Sequence, residues 1–347
     1  MIKVLIVDDS ILIQKVLRQI FESAAGIEVV GTAEDPLIAR DKIKQLNPDV
    51  VTLDIEMPKM DGITFLKNLM RLKPMPVVMI STLTQKGAPA TLQAMEYGAV
   101  DYVGKPSADN PELLADYAQE IIEKVKIASV ANIARLEHQA ARAPLTAKAP
   151  VKLGKLSNKV IAIGASTGGT EAIRELLLMM PADSPPIVIT QHIPPVFSAS
   201  FAKRLDGLLP MNVCEARDGD KLMVGHVYIA PGDKHLEVTK KGGLLYCKVF
   251  TGERVNLHLP SVEVLFNSIT QHCAKSTIGV MLTGMGADGS HAMLPMKNAG
   301  CYTIIQDENS SVVWGMPGAA AAVGAGDKIL PLQNIAEHIL LQLKSTA

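Results

Sequence analysis

Along the first third of the chain, short apolar runs alternate with segments of helical periodicity. The runs are Val4 to Val7, Val29 to Gly31, Val50 to Leu53, Val77 to Ile80 and Val100 to Val103. Between and after them, Ser10 to Ser23, Pro36 to Gln45, Gly62 to Leu72, Ala88 to Tyr97 and Pro111 to Lys126 repeat apolar residues at helical spacing. Strands alternating with helices predict an α/β domain over residues 1–126, built as (βα)5 around a parallel sheet.

From Ile127 to Leu156 the pattern lapses into Ala, Lys, Arg, Pro and Leu. The stretch from Ala141 to Pro150 is too rich in proline and too poor in periodic apolar positions to pack, so residues 127–156 read as a linker, helical at most in the first half. A second α/β domain is expected over 157–347. Its strands are Lys159 to Ile163, Ile187 to Thr190, Val227 to Ala230, Ile278 to Thr283 and Thr303 to Gln306. Its helices are Thr170 to Met180, Phe197 to Leu208, Ser261 to Cys273, Ser290 to Ala299 and Ile335 to Leu343. Leu236 to Thr239 and Leu244 to Val249, joined by Lys240-Lys241-Gly242-Gly243, predict an antiparallel hairpin in this doubly wound, mainly parallel scheme.

A length of 347 residues agrees with two such domains, and 48% hydrophobic with 20% charged residues excludes a disordered chain. Lys and Arg at 34 against Asp and Glu at 35 leave no global positive field for nucleic acid or an anionic membrane. No apolar run approaches the ~20 residues that span a bilayer, and Met1-Ile2-Lys3 enters a strand without a signal-peptide pattern, so a soluble, cytoplasmic protein is expected. Cys214, Cys247, Cys273 and Cys301 form no C-x-x-C and are expected as reduced thiols, not as a zinc site or disulfide framework.

Chemistry-bearing residues gather at strand ends. Asp8 and Asp9 follow the first strand and Asp54 ends the third, and in a parallel sheet those carboxyl ends share one edge. Converging carboxylates suit Mg²⁺, which keeps open positions for a phosphate. Ser81 and Lys105 end two further strands and could hold phosphoryl oxygens. Taken singly, each is more often a helix cap or a solvated side chain. Taken in order, VDDS, LDIEMPKMDG, the VVMIST strand and DYVGKP resemble the receiver domain of two-component response regulators, a flavodoxin-like fold. The resemblance implies Asp54 as phosphoacceptor, Asp8 and Asp9 as its metal partners, and Ser81, Tyr102 and Lys105 as the switch and phosphate-holding set. It also implies a histidine kinase as phosphodonor.

Gly164-Ala165-Ser166-Thr167-Gly168-Gly169 lies between a strand and a helix. As G-x-G-x-x-G it fails, because Ser166 holds the middle glycine's place. As G-x-S-x-G it projects a serine hydroxyl above the sheet, and the competing reading is a serine that caps the helix. His192 after one strand and Asp288 in TGMGADG after another supply a base and an orienting acid on the same edge. The order Ser, His, Asp differs from the α/β-hydrolase order, which His291 after Asp218 or Asp233 would satisfy.

IGASTGGTEAIRELL, VITQHIPPVFSASFAKRL, VYIAPGDKHL, LPSVEVLFNSI, TGMGADG and QDENSSVVWGMP resemble, in that order, the catalytic domain of the chemotaxis protein-glutamate methylesterases, CheB. With the receiver in front, the resemblance spans nearly the whole chain. It implies Ser166 as nucleophile, His192 as base and Asp288 as orienting acid. It further implies hydrolysis of γ-glutamyl methyl esters on chemoreceptors, deamidation of receptor glutamines, and phosphorylation as the regulator. Backbone N–H groups near Thr167 and Met285 are the expected oxyanion donors, no cofactor is expected for hydrolysis, and a monomer is expected. Leu257-His258-Leu259-Pro260-Ser261 stands where the family commonly carries arginines, and His291 replaces a usual small residue. A receiver joined to a non-catalytic binding domain is the alternative; a DNA-binding regulator lacks a basic recognition segment.

Overall fold

The computed structural model describes residues 1–81, 87–105, 111–134 and 159–345. The chain divides into two compact units, Met1–Ala143 and Pro144–Ala347. Residues 135–156 of the expected linker lie outside the described residues.

The first unit runs β1 (Ile2–Val7), α1 (Ile11–Ser23), β2 (Ile27–Ala33), α2 (Pro36–Leu46), β3 (Val50–Asp54), α3 (Gly62–Leu72), β4 (Val77–Ser81), α4 (Ala88–Glu96), β5 (Asp101–Gly104) and α5 (Pro111–Ser129). Its five strands pair in parallel in the order β2-β1-β3-β4-β5. β3 and β4 are buried at every residue, as strands covered on both faces must be, and this is why they read as largely apolar runs. Helix starts follow local chemistry: Ser10, Asp35 and Asp61 cap α1, α2 and α3 by accepting hydrogen bonds from first-turn N–H groups. α5 passes the expected end at Lys126 and stops at Ser129.

The second unit carries β6 (Val160–Ala165), α6 (Gly169–Leu178), β7 (Ile187–Gln191), α7 (Pro195–Asp206), β8 (Asn212–Glu215), β9 (His226–Ile229), β10 (His235–Lys241), β11 (Leu244–Phe250), α8 (Val262–His272), β12 (Thr277–Met281), α9 (Ser290–Asn298), β13 (Tyr302–Gln306), α10 (Met316–Ala322), β14 (Lys328–Leu330) and α11 (Leu332–Ser345). Seven parallel strands take the order β14-β13-β12-β6-β7-β9-β8, and β10 with β11 forms the expected antiparallel hairpin. The chain order reverses between β12 and β6, the kind of switch point outside which ligands of open α/β sheets bind. A core that includes Val160, Val188, Val262, Phe266, Met281 and Met293 packs α8 and α9 against this sheet. Two edge strands, β8 and β14, and the alanine-rich α10 were not expected from the sequence. Among the described residues no helix is long and apolar enough to cross a membrane.

Candidate functional site

Register sets the first site. Val7 pairs with Leu53, so Asp8 and Asp54, one residue on, emerge side by side. Ser81 pairs with Gly104, which brings Lys105 to the same edge. Ligand oxygens of Asp8, Asp9 and Asp54 lie within 4.8 Å of one another. Lys105 Nζ donates to Asp54 Oδ2 at 2.7 Å and stands 3.2 Å from Asp8 Oδ2. That Asp8 oxygen is buried and accepts no well-aligned hydrogen bond. Burial raises the Asp54 carboxyl to about 6 against the pull of Lys105, and burial also raises Asp8. Burial works against the Lys105 ammonium, yet Asp54 and Asp8 hold it above its ordinary value. Crowded oxygen donors, one of them without a well-aligned hydrogen bond, fit a hard divalent cation such as Mg²⁺.

Ser81 is buried and its Oγ lies 3.2 Å from Thr91 Oγ1, a donor to it from α4. Tyr102 is buried, with Lys124 Nζ 5.1 Å from its ring centroid and donating to its carbonyl at 2.6 Å.

The second site follows the same rule. Ala165 pairs with Gln191, so the next residues, Ser166 and His192, emerge adjacent. His192 Nδ1 lies 3.1 Å from Ser166 Oγ, and His192 Nε2 lies 2.9 Å from Asp288 Oδ2. The His192 side chain is 9% exposed and that of Asp288 fully buried. Gln191 Nε2 donates to the carbonyls of Ser166 and His192, fixing both strand ends. Two glycines shape the surroundings of the serine: Gly168 on its own turn has φ 74, and on the neighbouring turn a Cβ on Gly284 would stand 2.7 Å from Ser166 Cβ. Ser166 N donates to Thr283 O, so the turn carrying Met285 abuts the serine, while Thr167 is buried on the serine's own turn.

Asp288 sits at the N-terminus of α8, where Val262 N donates to Oδ2 at 2.6 Å and Ser261 Oγ and Asn256 Nδ2 donate to Oδ1, each at 2.8 Å. Burial alone would raise this carboxyl, but the hydrogen bond and charge of His192 and the hydrogen bonds from Asn256 and Ser261 bring it down to about 2. His258 stacks on His192 with centroids 3.6 Å apart and planes 15° off parallel. Burial, and then His192 beside it, lower His258 to about 4.

Of Asn256, Ser261 and His258, two carry no signal of their own in the sequence. Only Ser261 was findable, as a serine before an apolar-periodic helix. His291 is exposed on the first turn of α9, Asp218 accepts from Val249 N and Asp233 is exposed, so the alternative set does not gather around Ser166.

A switch-point edge bearing a serine, an imidazole and a buried carboxylate, in a chain with a separate α/β unit holding an acidic pocket, is an arrangement of the hydrolase class. The comparisons with known proteins specify it. The family described as CheB methylesterase matches residues 161–339, and the response regulator receiver domain matches residues 4–135. The protein-glutamate methylesterase/protein-glutamine glutaminase 2 of Saccharophagus degradans is 54% identical, covering 98% of each chain. A protein-glutamate methylesterase/protein-glutamine glutaminase of Hydrogenovibrio crunogenus is 50% identical over 99% of each. The crystal structure of the Thermotoga maritima CheB methylesterase catalytic domain matches 54% of this chain and 99% of its own, at 36% identity and a TM-score of 0.52. The chain belongs to the CheB methylesterase family and carries a response regulator receiver domain. It is an enzyme, a hydrolase, and the reading of the second unit as a non-catalytic binding domain falls.

Proposed function

We propose that this enzyme hydrolyses γ-glutamyl methyl esters on the cytoplasmic helical region of chemoreceptors, deamidates receptor glutamines, and is regulated by phosphorylation at Asp54 in chemotaxis adaptation. The observation that carries the hydrolytic reading is the unbroken sequence Ser166 Oγ, His192, Asp288, with contacts of 3.1 and 2.9 Å.

With Nε2–H donated to the ionised Asp288, the Nδ1 lone pair of His192 faces Ser166 Oγ. Ser166 attacks the ester carbonyl carbon as His192 takes its proton. The oxyanion is met by the N–H groups of Thr167 and Met285, on the two turns that meet at the serine. Collapse breaks the bond to methoxide, which leaves as methanol with the proton from His192. Water then attacks the acyl-serine, giving its proton to His192, which returns it to Ser166 Oγ. A glutamine side chain passes the same steps with ammonia as the leaving group. Asp288, held low by its donors, stays anionic beside the imidazolium. His258, neutral at physiological pH, packs on the imidazole and limits its rotation.

In the receiver, Asp54 accepts the phosphoryl group of a histidine kinase, Lys105 and Ser81 hold its oxygens, and Tyr102 responds to the movement of Ser81. Asp8, Asp9 and Asp54 would hold Mg²⁺, which neutralises phosphoryl charge when bound. We take residues 1–126 as the receiver, 127–156 as the linker and 157–347 as the esterase, acting in the cytoplasm as a monomer. The test is methanol release from a γ-glutamyl methyl ester peptide, and ammonia release from its glutamine counterpart, with and without acetyl phosphate and Mg²⁺. Turnover that rises with the phosphodonor is expected. No methanol above the uncatalysed rate would refute the esterase reading, and a rate blind to the phosphodonor would refute the regulatory one.

A further inference from the structure

Between β11 and α8 the backbone makes a two-residue turn. Val255 N donates to His258 O at 3.0 Å and His258 N to Val255 O at 2.9 Å. Its central residues, Asn256 and Leu257, both have positive φ, 52° and 69°. Asparagine accepts that conformation, and glycine is the favoured second residue of such a turn. Leucine is not, because its Cβ crowds the backbone there. Nor does packing explain Leu257, whose side chain is 77% exposed.

A strained position thus holds a large apolar side chain that the described residues of its own unit leave exposed. Its neighbours locate it. Asn256 is bonded to Asp288, His258 is stacked on His192, and the Arg254 guanidinium is tied to the Leu257 carbonyl at 3.3 Å. Met285, 43% exposed, adjoins Ser166 through Gly284. Two exposed apolar residues are therefore next in the chain to residues that touch the site, Leu257 to Asn256 and His258, and Met285 to Gly284.

We propose that Leu257 is a specificity-determining residue, the apolar contact for substrate residues that flank the scissile glutamyl ester. The proposal rests on the esterase reading above and adds the chemistry of the protein substrate: uncharged, aliphatic neighbours beside the ester. A seated substrate would bury Leu257, so the strain of its backbone serves binding.

The experiment measures kcat/KM of the full chain on three probes: a helical peptide with a glutamate γ-methyl ester flanked by leucine and alanine, the same peptide flanked by lysine and glutamate, and N-acetylglutamate γ-methyl ester. The wild type is expected to prefer the apolar-flanked peptide. Leu257→Gly should lower kcat/KM on that peptide about ten- to a hundredfold, the worth of burying one leucine side chain. It should leave the small ester within twofold and not lower the thermal midpoint, since glycine relaxes the turn. Leu257→Asn, which tolerates the left-handed backbone, should show the same selective loss. Equal losses on all three probes would mean that the turn acts through His258, and no loss would mean that no contact exists; either overturns the proposal. A wild type inert on every probe removes the esterase reading and this inference together, whereas turnover without the Leu257 pattern removes this inference alone.

Discussion

Replacing Asp54 by asparagine should stabilise the receiver in the absence of divalent metal, and the size follows from the site's electrostatics. Burial, opposed only in part by Lys105, raises the Asp54 carboxyl from 3.8 to about 6. A carboxyl raised on folding binds its proton more tightly in the native state, so its ionisation costs native stability as pH rises from about 3.8 to about 6, and the cost is constant above that. A rise of that size corresponds to about 3 kcal/mol at pH 7.5 and, by the same linkage relation, about 1 kcal/mol at pH 4.5. Asparagine removes that charge at the expense of the Lys105 contact, while Lys105 keeps Asp8 beside it at 3.2 Å. The net gain expected at pH 7.5 is therefore about 1–3 kcal/mol. Amide hydrogen exchange of the full chain should read it locally, since Val50–Asp54 is buried at every residue and core strands open at the high end of a protein's stability. Asp54→Asn should slow their exchange roughly 5- to 150-fold at pH 7.5. The gain should shrink at pH 4.5, and saturating Mg²⁺ should narrow it by stabilising the wild type. Unchanged or faster exchange in the variant at pH 7.5, or a gain that does not shrink on acidification, would rule out burial of the Asp54 charge as the destabilising element.

Further expectations bear on the two sites. Asp288→Asn should keep the shape of the site yet lose roughly 10⁴ in methanol release, because asparagine favours the wrong imidazole tautomer; a loss under tenfold would deny Asp288 its orienting role. Asp54→Asn should incorporate no label from acetyl phosphate in Mg²⁺ and should remove the phosphodonor's effect on esterase rate; persistent label would place the acceptor on another carboxylate. His258 is held neutral to about 4, so its protonation opposes the native stack and exacts stability as pH falls from its ordinary 6.5 towards 4. His258→Gln should flatten that part of the stability profile of the esterase unit, followed by the fluorescence of its single tryptophan, Trp314; an unaltered profile would contradict the assignment.

Strand ends were the legible part of this protein. Buried parallel strands announce themselves as largely apolar runs, and a polar residue that ends one, such as Asp54 after Leu53 or His192 just past Thr190, must lie at the sheet edge whatever the rest of the chain does. Edge strands are harder. β8 (Asn212–Glu215) is half polar and β14 (Lys328–Leu330) has three residues, two of them exposed, so neither carries a core pattern. α10 consists largely of alanine with a proline and a glycine, which offers almost no apolar periodicity. The support of Asp288 was illegible for another reason: its donors come from 26 to 32 residues upstream, on a turn and a helix start that reach it only through the tertiary fold. His258 has no local mark, because what distinguishes it is the ring on which it stacks.

One oxygen, Ser166 Oγ, begins the reaction in the mechanism proposed above. Methanol release from a γ-glutamyl methyl ester peptide should therefore be compared for the wild type and Ser166→Ala, with circular dichroism and thermal midpoint matched for the two proteins. The substitution deletes an oxygen from a hydroxyl that contacts the His192 ring, and the backbone bonds of Ser166, to Thr283 O and from Gly169 N, remain. A loss on the order of 10⁶ in turnover with unchanged folding is the predicted result; a folded Ser166→Ala protein that keeps a tenth of the activity would contradict it and place the nucleophile elsewhere.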